Sequence, residues 1–454
     1  MKPPQRPPAI EALLEKHRAV LPLAIDQGSR ALASNAYPHW DKLRHLEPPA
    51  HLTSESWWLG IKLNRQGQSR TLPLKDVAGR AFSYTLPDPV LSMLHRIDGR
   101  ASGRIGFPMG IATEETRDRF VFNSLVEEAI TSSQLEGAAT TRQVATDMIR
   151  EHRTPKDKHE RMIMNNYHAM ASLRQLKGNP LDFMSLMSLH QTLTQSTLDN
   201  DELAGRLQQI GEERVAVVDH KNESVLYRPP PADLLPERIE AMIRFANEGQ
   251  DCDPFIHPVI RAITLHFWLA YEHPFADGNG RTARALFYWS MLRQGYWLFE
   301  FISISRILKS APLKYGRAFL ETETDGNDLT YFIIHQLHVI MGALAELDAY
   351  LERKTRQVQS VERMLKDSDL NHRQIALLSH VIRHPGHTYT IKTHQTSHRV
   401  AYASARSDLI DLARRDLLTQ VRVGQKTWKF LAPENLQATI SGKQKAATDG
   451  MDSP

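Results

Sequence analysis

Apolar residues recur mostly at helical spacing along this chain. Phe183, Leu186, Met187, His190 and Leu193 share one face of a helix, and Gly178-Asn179-Pro180 breaks the chain before it. Helical patterning begins near Thr116. It returns at Leu234, over Pro258 to Tyr271 and Arg281 to Gln294, and in a long amphipathic stretch from Leu329 to Arg356. Gln374 to Arg383 and Ser397 to Leu418 continue it, the second with arginines on one side. Two places switch to a strand-like pattern. Arg214 to Val218, a polar stretch from Asp219 to Ser224, and Val225 to Tyr227 predict a hairpin stopped by Pro229, Pro230 and Pro231. Thr419 to Val423, a Gly424-Gln425 turn and Lys426 to Leu431 predict another.

The pattern predicts a mainly α chain in four parts. Residues 1–114 form a Trp-rich helical segment, with Trp40, Trp57 and Trp58 packing it. Residues 115–356 form a helical core with a β-hairpin, and 357–432 a winged helix-turn-helix. Residues 433–454 form a polar, disordered tail. With 454 residues there is ample length for a large core. No uninterrupted run of eighteen apolar residues is present, so no membrane span is expected. Prolines at the N-terminus do not suit an export signal, and a single cysteine, Cys252, excludes an internal disulfide. A cytoplasmic location is expected. The net charge is +4, but residues 371–432 hold ten Lys or Arg against three Asp, an excess of +7. A nucleic-acid surface, if there is one, belongs there.

The chemistry concentrates in His273-Pro274-Phe275-Ala276-Asp277-Gly278-Asn279-Gly280-Arg281-Thr282-Ala283-Arg284. Pro274 cannot donate an interior helix bond, so His273 ends a helix. The turn Asp277 to Gly280 is poor in Cβ atoms and opens the next helix, a device for holding phosphate on backbone N–H groups. Arg281 and Arg284 share a face of that helix's first turn. Asp277 offers a hard oxygen for Mg²⁺ beside phosphates, and His273 suits a general base. Tyr288 stands where a calcium loop needs its bidentate Glu, and no Gly-Lys-Ser/Thr follows for a nucleotide P-loop.

This string resembles the signature of the Fic (filamentation induced by cAMP) family, matching every specified position. Val215 to Pro231 resembles the family's flap, and coverage runs from about residue 115 to 350. The resemblance implies a Fic-type helical core that transfers AMP from ATP to a protein hydroxyl. His273 would be the base. Asp277 would hold Mg²⁺, Gly278, Asn279 and Gly280 would cradle phosphates, and Arg281 and Arg284 would bind the β- and γ-phosphates. Tyr227 and Tyr315 would line the nucleotide pocket or simply pack. The flap, Val215 to Tyr227, would hold the target protein by strand addition.

Ser132-Ser133-Gln134-Leu135-Glu136-Gly137 is similar to the family's inhibitory pattern. Glu136, with Ser132, would then occupy Arg284 and misplace ATP. The alternatives are AMP removal, transfer from another nucleotide such as UTP, self-modification, or a DNA-binding regulator whose core senses nucleotide. Arg399, Arg406, Arg414 and Lys426 are the DNA-contact candidates. The six histidines from His372 to His398 lack metal-ligand spacing.

Overall fold

A computed structural model describes residues 2–33, 37–101, 114–218, 225–249, 252–366, 368–383, 387–423, 427–433 and 436. The chain is mainly α-helical, with three two-stranded antiparallel sheets among the described residues. Its contacts divide it into two units. The first comprises residues 1–104 and 123–345, the second 105–122 and 346–454.

The first unit opens with helices Leu21–Ala33 and Ser54–Gly67 crossing at two glycines. A Cβ on Gly60 would lie 1.8 Å from the Ala24 carbonyl oxygen, and one on Gly28 would lie 2.3 Å from Gly60. Only hydrogen fits such an approach. Thr53 starts the second helix with a capping box to Ser56. Trp40 and Trp58 are buried with Leu13, Leu43, Leu59 and Ile61. The segment is not wholly helical as expected. Arg70–Lys75 and Ala81–Tyr84 pair as an antiparallel hairpin turned at Gly79, and their inward residues Leu72, Leu74, Phe82 and Tyr84 alternate with exposed ones in the first strand and half-buried ones in the second. That period of two is the strand signal. A cavity of about 610 Å³ lies beside this layer. Its buried charges pair among themselves: Lys62 and Arg65 contact Asp325 at 3.0 and 3.8 Å.

The centre is a helix pair, Pro258–Glu272 and Asn279–Arg293, packed on each other and buried on nearly every side. Pro258 at the first helical position and Gly278 before the second helix mark their starts. Lys158–Leu176, Phe183–Thr194 and Leu235–Asn247 surround the pair. Helix Glu114–Leu135 ends at Gly137 in the left-handed region. The flap hairpin is short, with strands Val217–Val218 and Val225–Tyr227. Its expected loop, Asp219 to Ser224, lies outside the described residues.

Helix Thr330–Lys366 contains a stretch, Thr330–Arg353, long and apolar enough by composition to cross a membrane, although it holds charged residues and half of it is buried. The expectation of no such stretch, drawn from uninterrupted runs, is corrected to that extent. The second unit holds helices His372–Arg383, Ile391–His398 and Tyr402–Arg414, followed by the hairpin Thr419–Val423 and Thr427–Leu431. Leu377, Leu378, Val381, Leu409, Leu412 and Phe430 pack its core. The Gly424-Gln425 turn, Lys426 and nearly all of the tail lie outside the described residues.

Candidate active site

The turn between the central helices is built from the backbone outward. His273 is the C-cap of the first helix, left-handed at φ 46° and ψ 52°. For a residue with a Cβ this conformation costs about 1 kcal/mol, so neighbours must hold it. Asn279 braces the loop from inside: its Oδ1 accepts from the Phe275 N–H at 3.0 Å, and its Nδ2 donates to the Phe275 carbonyl at 2.8 Å. The same Nδ2 lies 3.3 Å from Nδ1 of His273. Gly278 takes φ 81°, and no side chain caps the helix it begins. The first N–H groups of that helix therefore lack the side-chain acceptor that usually satisfies one of them.

Two buried arginines stand at the turn. Arg281 is 1% exposed. It donates from Nη1 to the Leu193 carbonyl at 2.9 Å and approaches Asp277 at 3.4 Å. Its Nε has no partner among the described residues. Arg284, equally buried, donates from Nε to Ser132 Oγ at 2.8 Å. From Nη2 it reaches the Ser132 carbonyl at 3.0 Å and Glu136 Oε1 at 2.9 Å. Burial opposes the charge of Arg284, yet Glu136 holds its pKa above the ordinary value. Glu136 presses against the turn itself: a Cβ on Gly280 would lie 2.2 Å from its Oε1.

His273 is partly buried. Burial pushes its pKa down to about 4, opposed by Glu136 and reinforced by Arg214. The ring is thus neutral near pH 7, the form that accepts a proton. Asp277 keeps half of its side chain exposed and accepts from the Gly278 N–H at 2.6 Å. Among the described residues no three His, Cys, Asp or Glu side chains gather as a metal cage. A single exposed carboxylate fits Mg²⁺, which keeps several waters and takes its other ligands from substrate phosphates. Tyr315 lies beside this group. Its hydroxyl is 2.7 Å from His266 Nε2, and burial raises its pKa to about 12.

His190, read from spacing as one more core position, does more than fill space. Its Nε2 donates to the Asp277 carbonyl at 2.9 Å, and its Nδ1 accepts from the Gly205 N–H at 2.9 Å. Its ring stacks on Phe275 at 3.7 Å. The available signal was chemical: a buried imidazole needs partners for two nitrogens. Arg399, Arg406 and Arg414 are exposed in the second unit. Arg415 is not, being bonded to Asp369 at 2.8 Å and Asp411 at 3.1 Å.

Residues 180–291, which hold this turn and its braces, match the profile of the Fic/DOC family. The chain carries a Fic/DOC domain. "Protein adenylyltransferase Fic" of Nematostella vectensis is 42% identical over 69 residues, covering 15% of this chain and 16% of that protein. The protein of the same name from Drosophila melanogaster is 39% identical over 70 residues, covering 15% and 13%. The chain spans less than a fifth of the length of these curated relatives. Among solved structures, a Fic family protein from Desulfovibrio desulfuricans G20 has a TM-score of 0.48 at 17% identity, over 76% of this chain and 94% of that one. Fic-1 (aa134–508) of C. elegans has 0.45 at 16%, over 76% and 86%. The Fic domain thus contains the turn, both arginines and the imidazole, whereas Ser132 and Glu136 come from outside the matched residues.

Proposed function

We propose that the Fic domain transfers AMP from ATP to a hydroxyl of a target protein, or of the chain itself, and that Glu136 restrains it. The observation that carries this reading is the Arg284 guanidinium. It is buried at a phosphate-suited turn, and its only carboxylate partner among the described residues is Glu136, at 2.9 Å. An incoming phosphate would have to displace that carboxylate. Relatives named protein adenylyltransferase support the choice of ATP.

In the reaction, the neutral His273 takes the proton of the target hydroxyl. The freed oxygen bonds to the α-phosphorus, the bond to the β-phosphate oxygen breaks, and pyrophosphate leaves. Mg²⁺ held by Asp277 would neutralise phosphate charge. The turn's backbone N–H groups and Arg284 orient the phosphates, while Asn279 and His190 keep the turn rigid. The flap would present the target segment to His273.

The test uses ATP labelled on the α-phosphate, Mg²⁺ and lysate. Label on protein should rise in Glu136→Gly and vanish in Glu136→Gly with His273→Ala. ATP binding without label in every form would overturn AMP transfer and leave AMP removal or another nucleotide. A second reading rests on a separate observation: exposed Arg399, Arg406 and Arg414 have no ion-pair partner among the described residues. We infer that the second unit binds nucleic-acid phosphates as a winged helix-turn-helix. Duplex DNA affinity that does not fall with salt would sink this reading.

A further inference from the structure

Arg214, three residues before the first flap strand, is bonded unlike the arginines of the turn. Its Nε donates to the Pro230 carbonyl at 2.8 Å, its Nη1 to Gln208 Oε1, and its Nη2 to the carbonyls of Glu272 at 2.6 Å and His273 at 3.2 Å. Pro230 follows the second flap strand. Gln208 precedes the first, and its own N–H donates to the Pro274 carbonyl at 2.9 Å. One half-buried guanidinium therefore ties both ends of the flap to the end of the central helix. All four acceptors are neutral oxygens, and no carboxylate pairs with Arg214 among the described residues. A cation placed on the last carbonyls of a helix meets both their unsatisfied valences and the negative end of its dipole.

The carbonyls it holds belong to the left-handed His273 and to the residue before it. Asn279 braces the loop from the far side through Phe275. Arg214 braces it from the near side, and the Tyr227 hydroxyl, from the other flap strand, donates to the Tyr271 carbonyl at 2.8 Å. We propose that Arg214 is a positioning residue that locks the base of the flap onto the backbone of His273, so that a segment bound on the flap meets the imidazole at a fixed distance. The proposal rests on the AMP-transfer reading above. The charged groups that act on the imidazole are Glu136, Asp277 and Arg214. Arg214 is the cation among them, so it also favours the neutral ring.

The test compares Arg214→Met and Arg214→Lys in full-length Glu136→Gly protein. Three quantities are read: transfer from α-labelled ATP, affinity for ATP with Mg²⁺ by calorimetry, and the His273 ring titration by NMR. In Arg214→Met, transfer should fall about a hundredfold while ATP affinity holds, and the His273 midpoint should rise by about one pH unit. Arg214→Lys keeps the charge but cannot span three segments, so the midpoint should hold while transfer recovers only in part. Parental transfer in Arg214→Met would overturn the proposal, as would loss of ATP affinity in step with transfer. If the Glu136→Gly parent itself yields no label, AMP transfer fails as a reading. The carbonyl ¹³C shifts of Glu272 and His273, the groups Arg214 holds, then decide Arg214 alone: a change in Arg214→Met that Arg214→Lys does not fully restore supports its hold on His273, and unchanged shifts overturn it.

Discussion

Two buried carboxylates, one in each unit, organise their surroundings in different ways. Glu128 is 2% exposed on the helix that also carries Ser132. It accepts from Tyr288 at 2.9 Å, Ser303 at 2.7 Å, the Ser305 N–H at 3.1 Å and the Ser305 hydroxyl, all neutral donors. Asp408 in the second unit is 4% exposed. It takes Arg373 at 2.7 and 3.0 Å, Asn371 at 2.8 Å and His394 at 3.2 Å. Burial alone would raise its pKa, but these donors bring it below the ordinary carboxylate value. The arginines contrast in the same way. Around the turn, Arg281 and Arg284 are enclosed, and Arg284 is committed to Ser132 and Glu136. In the second unit, Arg399, Arg406 and Arg414 face solvent. Enclosed charge fixes a geometry for one bound group, whereas exposed charge suits an extended polyanion whose position can vary.

Removing Glu128 is the strongest way to break this contrast. Glu128→Ala takes the acceptor from three buried donors, the Tyr288 hydroxyl and the Ser305 N–H and hydroxyl, and should cost about 3 kcal/mol in chemical denaturation, at about 1 kcal/mol for each of them. Because Glu136 lies two helical turns further on, labelling by the unstimulated protein should also rise. Next is Asp408→Ala, which strands a guanidinium that is 22% exposed and should cost about 3 kcal/mol. Its effect should stay in the second unit, with AMP transfer unchanged. A fall in transfer would show that the two hubs are not independent.

Acid sharpens the comparison from the other side. Burial pushes His39, His190, His273 and His335 down to about 4 and His266 well below its ordinary value. Between pH 6.5 and 4 the unfolded chain binds protons that these native rings refuse. Stability must therefore fall as pH falls through that window, by about 1.4 kcal/mol per pH unit for each such ring. All five lie in the first unit, so calorimetry at decreasing pH should lower the Tm of that unit ahead of the second. Equal shifts for both would contradict the assignment. The smallest effect concerns the exposed arginines. Arg406→Ala should change stability by no more than about 0.5 kcal/mol, while reducing the salt slope of DNA binding by about 1.

The local devices were legible in sequence because they are local. Helix ends at Pro258 and Gly278, the glycine turn and the phosphate-suited string lie within 27 residues. A capping proline or a Cβ-free turn acts on its neighbours whatever surrounds it. The N-terminal hairpin escaped because its alternation spans only ten residues in two pieces, and its pairing depends on what covers the buried face. His190 escaped because its spacing is that of any core residue.

The sequence by itself determined that a histidine, a turn and two arginines stand together, since bond lengths and helix periodicity leave them no other arrangement. The tertiary structure decided how each is used. Glu136 and Arg284 are 148 residues apart, Arg214 and His273 59, and Glu128 and Ser305 177. Contacts at such separations follow from packing, where burial removes water as the competing partner and makes one hydrogen-bond arrangement far better than the rest.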